Sequence, residues 1–306
     1  MAFNFCSSTG IVSANKLVFD RGFHFATTLT LLHFVFTTLG LLIAMKAGAF
    51  PFKRLDAAKA AKLAAAGMGF VVFSNLSLQF NSVGFYQVMK HLTVAAVVAI
   101  EAVVFRRVLP RPLCAPVACL CVGIAITGAT DFQLNVTGTV CAVLNVVFTA
   151  FYQIWCGALQ RSLGANPLQL QLYIAPMSAV GLLPFVPLLD DYRRSSPASI
   201  WAWTPTPGVV GLIALTGVLA FCVNVSIFWV IGRTSAVSYN VLGHAKTTTL
   251  LTLDYVAFGR PLEWANATGL VVAITGVVTY TQQKLRLSQR AAAAGSAAAG
   301  GGGTGR

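Results

Sequence analysis

Three lysines stand inside apolar runs rather than between them: Lys16, Lys90 and Lys246. A cation in hydrocarbon is costly, and it persists where it meets an acid, a polar cavity or an anionic solute. Lys246 lies in GHAKTTT (243–249), eleven residues into its run. At the helical rise that is about 16 Å deep, near a bilayer's centre. Asp254 is on the same face but about 12 Å further along the axis, too far to pair with it directly. Two partners remain open, a solute phosphate or an acid on another helix. Thr247, Thr248 and Thr249 add hydroxyls for phosphate or sugar oxygens, and Gly243 leaves room for close approach. Lys90 follows Tyr86 by one turn in YQVMK (86–90), with the same two partners open. Lys16, after Asn15, has snorkelling to the interface as its alternative. Tyr239 shares a helical face with Lys246 and either stacks on a base or packs as an ordinary aromatic, and Tyr152 with Gln153 has the same pair of readings. Asn224 in FCVNVSIFW lines a polar cavity or glues two helices together.

Other chemistries find no footing. His91 and His244 have no cluster of cysteine, histidine or acid at metal spacing. No P-loop and no nucleophile–base pair occurs, so neither a cofactor, a metal nor an enzymatic activity is expected. The seven cysteines all lie in apolar runs without a CxxC pair, and read as small buried hydrophobes.

The elements that position these residues follow from composition. Only 9% of the 306 residues are charged and 57% are apolar, with a mean hydropathy of +0.76. A soluble surface of this size needs about 25% charge. The apolar runs are continuous rather than alternating, which selects spanning helices over a transmembrane β-barrel. Ten spans are expected, at roughly 3–19, 24–45, 63–80, 83–105, 112–129, 135–158, 168–189, 208–231, 235–258 and 264–283. The net charge of +13 does not signal nucleic acid, because the basic residues gather between spans and in the tail. Ten spans put both termini on one side with fourteen Lys and Arg, against four on the other. The positive-inside rule makes the richer side cytosolic. Residues 284–306 turn basic and then Ala/Gly-rich, a composition that cannot build a core and predicts a disordered tail.

Offset by 153 residues, the chain overlies itself. YQVMKHLTVAAVVAIEAVVFRRVL (86–109) falls on YNVLGHAKTTTLLTLDYVAFGRPL (239–262), with seven of 24 positions identical. Tyr86 meets Tyr239, His91 meets His244, Glu101 meets Asp254 and Arg107 meets Arg260, and Gly123 then meets Gly276. The repeat unit holds five spans, an odd number, so its second copy enters the membrane inverted. The expected fold is therefore an all-α polytopic membrane protein of two inverted five-helix repeats, 1–133 and 134–283. Such repeats recur in transporters that work by alternating access. Lys90 and Lys246 are not strict mates, since Lys90 overlies Gly243 and Lys246 overlies Thr93.

The stretch IGRTSAVSYNVLGHAKTTTLLTLDYVAFGRPL (231–262) resembles the ninth span of the nucleotide-sugar/triose-phosphate translocator family, within the drug/metabolite transporter superfamily. NSVGFYQVMKHLTVAAVVAIEAVVFRR (81–107) resembles its fourth span, and the likeness extends over roughly residues 3–283. The resemblance implies that Lys90 and Lys246 hold substrate phosphate. Lys246-Thr247 matches the branch that carries nucleotide sugars, whereas plastid phosphate translocators have Lys-Arg there. The GDP-sugar signature G-A-L-N-K is replaced by GHAK. Implied are exchange of a UDP-sugar (galactose, xylose, rhamnose or arabinose) for UMP, a lipid bilayer as the setting, and a Golgi location. The endoplasmic reticulum and the plastid envelope are the alternative membranes; the apolar run begins at Ala2–Phe5 with no Ser/Arg-rich stretch before it, which points away from the envelope. A homodimer is a further expectation, and a sugar-phosphate/phosphate exchanger or a non-transporting scaffold are the alternatives in function.

Overall fold

The computed structural model describes residues 2–81, 89, 92–128, 135–243 and 264–300. Among these there is helix and no strand. In chain order the helices are α1 (Ala2–Asp20), α2 (Ala26–Lys46), α3 (Ala57–Phe80), α4 (Thr93–Val103), α5 (Arg111–Gly128), α6 (Val136–Ser162), α7 (Pro167–Leu182), the short α8 (Val186–Leu189), α9 (Pro207–Arg233), a helical stretch α10 (236–243) and α11 (Trp264–Gly300). Four of the described helices are long and apolar enough to cross a membrane: α2, α3, α6 and α9.

Local chemistry sets the boundaries, and several differ from the expected ones. α3 starts six residues before the apolar run, because the Asp56 carboxylate caps it by accepting from the backbone N–H of Ala58 and Lys59 at 3.0 and 3.3 Å. Asn135 caps α6 in the same way, through Gly138 N–H at 3.2 Å. α7 opens on a capping box: Asn166 Oδ1 accepts from Gln169 N–H at 2.8 Å, Gln169 Oε1 accepts from Asn166 N–H at 3.0 Å, and Pro167 takes the first helical position. The span expected over 168–189 is interrupted after Leu182. Pro184 cannot continue the helix, and a turn over 183–185 leads into α8, with a proline in its first turn. The last helix runs past 283 to Gly300, because the alanines from Ala291 onward favour helix and no proline stops them.

The chain forms two compact units, and each draws on both halves of the sequence. Residues Met1–Thr93 with Gln133–Tyr239 make the first, and Val94–Phe132 with Asn240–Arg306 the second. In the first unit α3 packs on α6, α1 on α9, α2 on α7 and α9, and α3 on α7. One buried cluster of this unit gathers Leu63, Cys156, Leu170, Ile174, Phe228 and Ile231.

In the second unit α5 packs on α11. The crossing is close: a Cβ built on Gly123 would lie 2.7 Å from Gly269 O and against Ala273, and one built on Gly276 would lie 2.7 Å from Leu120 N. Ala273 is Leu120 shifted by 153, as Gly276 is Gly123 shifted by 153. The contact is therefore reciprocal, each glycine meeting the repeat mate of the residue that the other meets. Cys119 thiol donates to Val272 O at 3.3 Å, and these two are themselves 153 apart.

Candidate functional site

Lys246, Thr247, Lys90 and Tyr86, with His91, His244 and Asp254, lie outside the described residues. Lys16 lies in α1, directly after Asn15, whose side-chain oxygen is buried without a partner. Gly243 ends the described part of α10, and no described atom comes within 4 Å of the position its Cβ would take. Asn224 sits on α9, half-buried, and its Nδ2 donates to Thr37 Oγ1 on α2 at 3.0 Å.

That bond belongs to a series along α9. Thr216 Oγ1 meets His33 Nε2 of α2 at 3.1 Å, and Ser226 Oγ accepts from Asn4 Nδ2 of α1 at 2.7 Å. Thr37 and Thr216 are fully buried. Hydrogen bonds of this kind are modest individually, but a polar group left unpaired in hydrocarbon is expensive. Side by side they hold α1, α2 and α9 in one register.

Tyr239 is half-buried against the cluster around Cys156, Phe228 and Ile231, and Tyr152 packs against the same cluster. The Tyr152 ring stands edge-on to Phe228 at 6.1 Å and stacks on Phe70 at 6.3 Å. Tyr152, Phe70 and Phe228 thus form one packed aromatic group, with Phe228 fully buried. Gln160 ties α6 to α9 by donating to Phe228 O at 3.0 Å.

Two polar groups of α7 were not singled out from sequence. Gln171 is fully buried with both amide atoms unpartnered, and Ser178, also buried, has an unpartnered hydroxyl. They are seven residues apart and so share one helical face. A carboxamide without a partner costs about 1–3 kcal/mol, so a water or a polar solute gains most by meeting it. The signal was visible in the alternation of LQLQL (168–172), but burial, which gives it meaning, was not.

Fixed charge sits at the helix ends. Lys59 pairs with Asp56 at 3.6 Å and Arg193 with Asp191 at 3.2 Å, all exposed or nearly so. The Arg193 hydrogen bond, helped by Ser196, holds the Asp191 carboxyl well below the usual carboxylate range. Among the described residues no group of three or more His, Cys, Asp or Glu could hold a metal.

The sequence profile of the Triose-phosphate Transporter family matches residues 2–281. The chain belongs to this family. Among its relatives, UDP-xylose transporter 3 of Arabidopsis thaliana is 37% identical over 293 residues, covering 91% of this chain and 80% of the relative. UDP-rhamnose/UDP-galactose transporter 2 of the same plant is 34% identical, covering 92% of this chain and 81% of the relative. Nucleotide-sugar uncharacterized transporter 2 of Arabidopsis thaliana is 32% identical, covering 92% of this chain and 70% of the relative. One solved crystal structure superposes with a TM-score of 0.69 at 16% identity, over 93% of this chain and 96% of that one, a likeness of fold. This family member is a membrane protein whose relatives are transporters, and no relative named here is an enzyme.

Proposed function

We propose that the protein is a nucleotide-sugar antiporter that exchanges a UDP-sugar for UMP across the Golgi membrane by alternating access, with both termini cytosolic. The observation that carries this reading is the match, over nine-tenths of the chain, to relatives named for UDP-xylose and for UDP-rhamnose or UDP-galactose. The Lys246-Thr247 pair and the intramembrane Lys90 agree with it, since a substrate diphosphate needs cations at the membrane's midplane. In this reading Lys246 and Lys90 hold the phosphates, Thr247 adds a hydroxyl, and Gly243 leaves room for the substrate. Tyr239 and Tyr86 supply aromatic surface, while Asn224 and Lys16 complete the polar lining.

The proposed architecture is ten spans in two inverted five-helix repeats. The reciprocal packing of Gly123 and Gly276, and the pairing of Cys119 with Val272, support a two-fold relation between the halves at the 153-residue offset. The family's name keeps phosphate/sugar-phosphate exchange as a second reading. The two are separated by reconstituting the full chain in liposomes loaded with UMP or with phosphate, and offering radiolabelled UDP-sugars, GDP-sugars and triose phosphate. UDP-sugar uptake that needs internal UMP is the expected result. Triose-phosphate uptake against internal phosphate would replace this reading by the second, and silence across the panel by folded protein would favour a scaffold.

A further inference from the structure

The α2–α7 pair is fastened at both of its ends by side chains far apart in sequence. At one end the carboxylate of Asp190, just after α8, caps the start of α2. Asp190 Oδ1 accepts from Thr27 N–H at 3.2 Å, and Oδ2 accepts from Thr28 N–H and the Thr28 hydroxyl, both at 2.6 Å. Tyr192 OH reaches the same hydroxyl at 3.1 Å. At the other end, the segment after α2 is tied to the start of α7 and the turn before it. The Lys53 ammonium donates to Leu163 O and Gly164 O, both at 2.8 Å. Gln169 Nε2 donates to Pro51 O at 2.9 Å, and Tyr173 OH accepts from Leu55 N–H at 3.2 Å. Between the clasps the two helices share apolar clusters: Leu41 with Leu172 and Leu168 near one end, Leu31 and Phe34 with Leu182 near the other, where Val186 of α8 joins them.

The two clasps correspond to each other. In one, the segment after α7 holds the start of α2; in the other, the segment after α2 holds the start of α7. Outside the occluded state, in which both gates are shut, a gate that alternates is closed at one membrane face while its mate is open at the other, so a gating contact is present at one end and missing at the corresponding end. The α2–α7 contact is made at both ends in one structure. We infer that α2 and α7 travel as one rigid piece throughout transport, and that Asp190 and Lys53 are the positioning residues that bind them. Opening then takes place at helix pairs other than this one.

This rests on alternating access as proposed above, and two measurements keep the failures apart. The first replaces the Asp190 clasp by a covalent one, in Thr28→Cys/Asp190→Cys, with the 28–190 disulfide checked by mass mapping and oxidised wild type as the control for the native cysteines. UDP-sugar/UMP exchange by the oxidised variant is expected within about twofold of wild type. Loss of exchange on oxidation, restored by reduction, would overturn the inference. The second needs no transport: hydrogen exchange at the amides of Thr27 and Thr28 in the reconstituted full chain. Asp190→Ala should speed it at least about tenfold, since a charge-assisted hydrogen bond is lost. If that variant fails to fold, Lys53→Met should do the same at the amides of Leu55 and of residues 164–166. Unchanged protection in the folded variant would overturn the clasp whether or not the protein carries UDP-sugars. Wild-type silence toward UDP-sugars, with the amide result as expected, would overturn the transport reading, and with it the rigid-body role in transport, and leave only the clasp contacts standing.

Discussion

Two helix pairs in this molecule are joined by opposite means. α2 and α7 are held by long side chains, polar at the ends and apolar between, with Asp190 and Lys53 each reaching more than a hundred residues along the chain. α5 and α11 are held by the absence of side chains: Gly123 and Gly276 let the backbones approach until a single Cβ would collide with main chain. In lipid there is no hydrophobic gain from bringing helices together, so packing and hydrogen bonds must do it. The glycine crossing is sensitive to added volume and the clasped pair to removed polarity.

The sharpest way to break that contrast is to add volume at the crossing. Gly123→Leu and Gly276→Leu should each prevent a stable fold, losing at least about 3 kcal/mol because main chain cannot move aside as a flexible side chain would. Melting of the detergent-solubilised protein reads this, and normal melting would refute the close approach. Gln160→Ala should cost about 1–3 kcal/mol by removing the amide that serves Phe228 O and leaving its site empty. Asn224→Leu should cost about 0.5–1.5 kcal/mol, because Thr37 retains its own bond to His33 O at 2.7 Å when the Asn224 donor is lost. A larger loss in exchange than in melting temperature for that variant would mark Asn224 as a solute contact rather than glue alone. At the bottom of the scale, Asp191→Asn should leave exchange unchanged and lower melting only slightly at neutral pH, where the carboxylate that Arg193 holds ionised is lost. Its pair with Arg193 is exposed and screened.

Much of the scaffold was legible in the sequence because hydrocarbon permits so few solutions: α2, α6 and α9 fall where continuous apolar runs predict them. The 153-residue offset was proposed from sequence because tyrosine, histidine and acid align less readily by chance than leucine does, and the Gly123–Gly276 crossing agrees with it. The start of α3 was missed because hydropathy reports burial in lipid, whereas Asp56 capping starts the helix in the polar region before it. The break after Leu182 was readable in Pro184, but a span drawn by hydropathy alone runs through it. The clasps were out of reach, since nothing in Thr27 or Thr28 points to an aspartate 162 residues away. Asn224 was readable as a polar residue in an apolar run, but its partner Thr37 was not.

The claim on which everything functional rests is exchange through Lys246. Proteoliposomes holding wild type or Lys246→Ala, loaded with UMP or left empty, would be offered a radiolabelled UDP-sugar. Wild type should take it up only against internal UMP, and the folded variant should take up none. Near-normal uptake by Lys246→Ala, or wild-type uptake indifferent to internal UMP, would contradict the proposed site and the proposed exchange respectively.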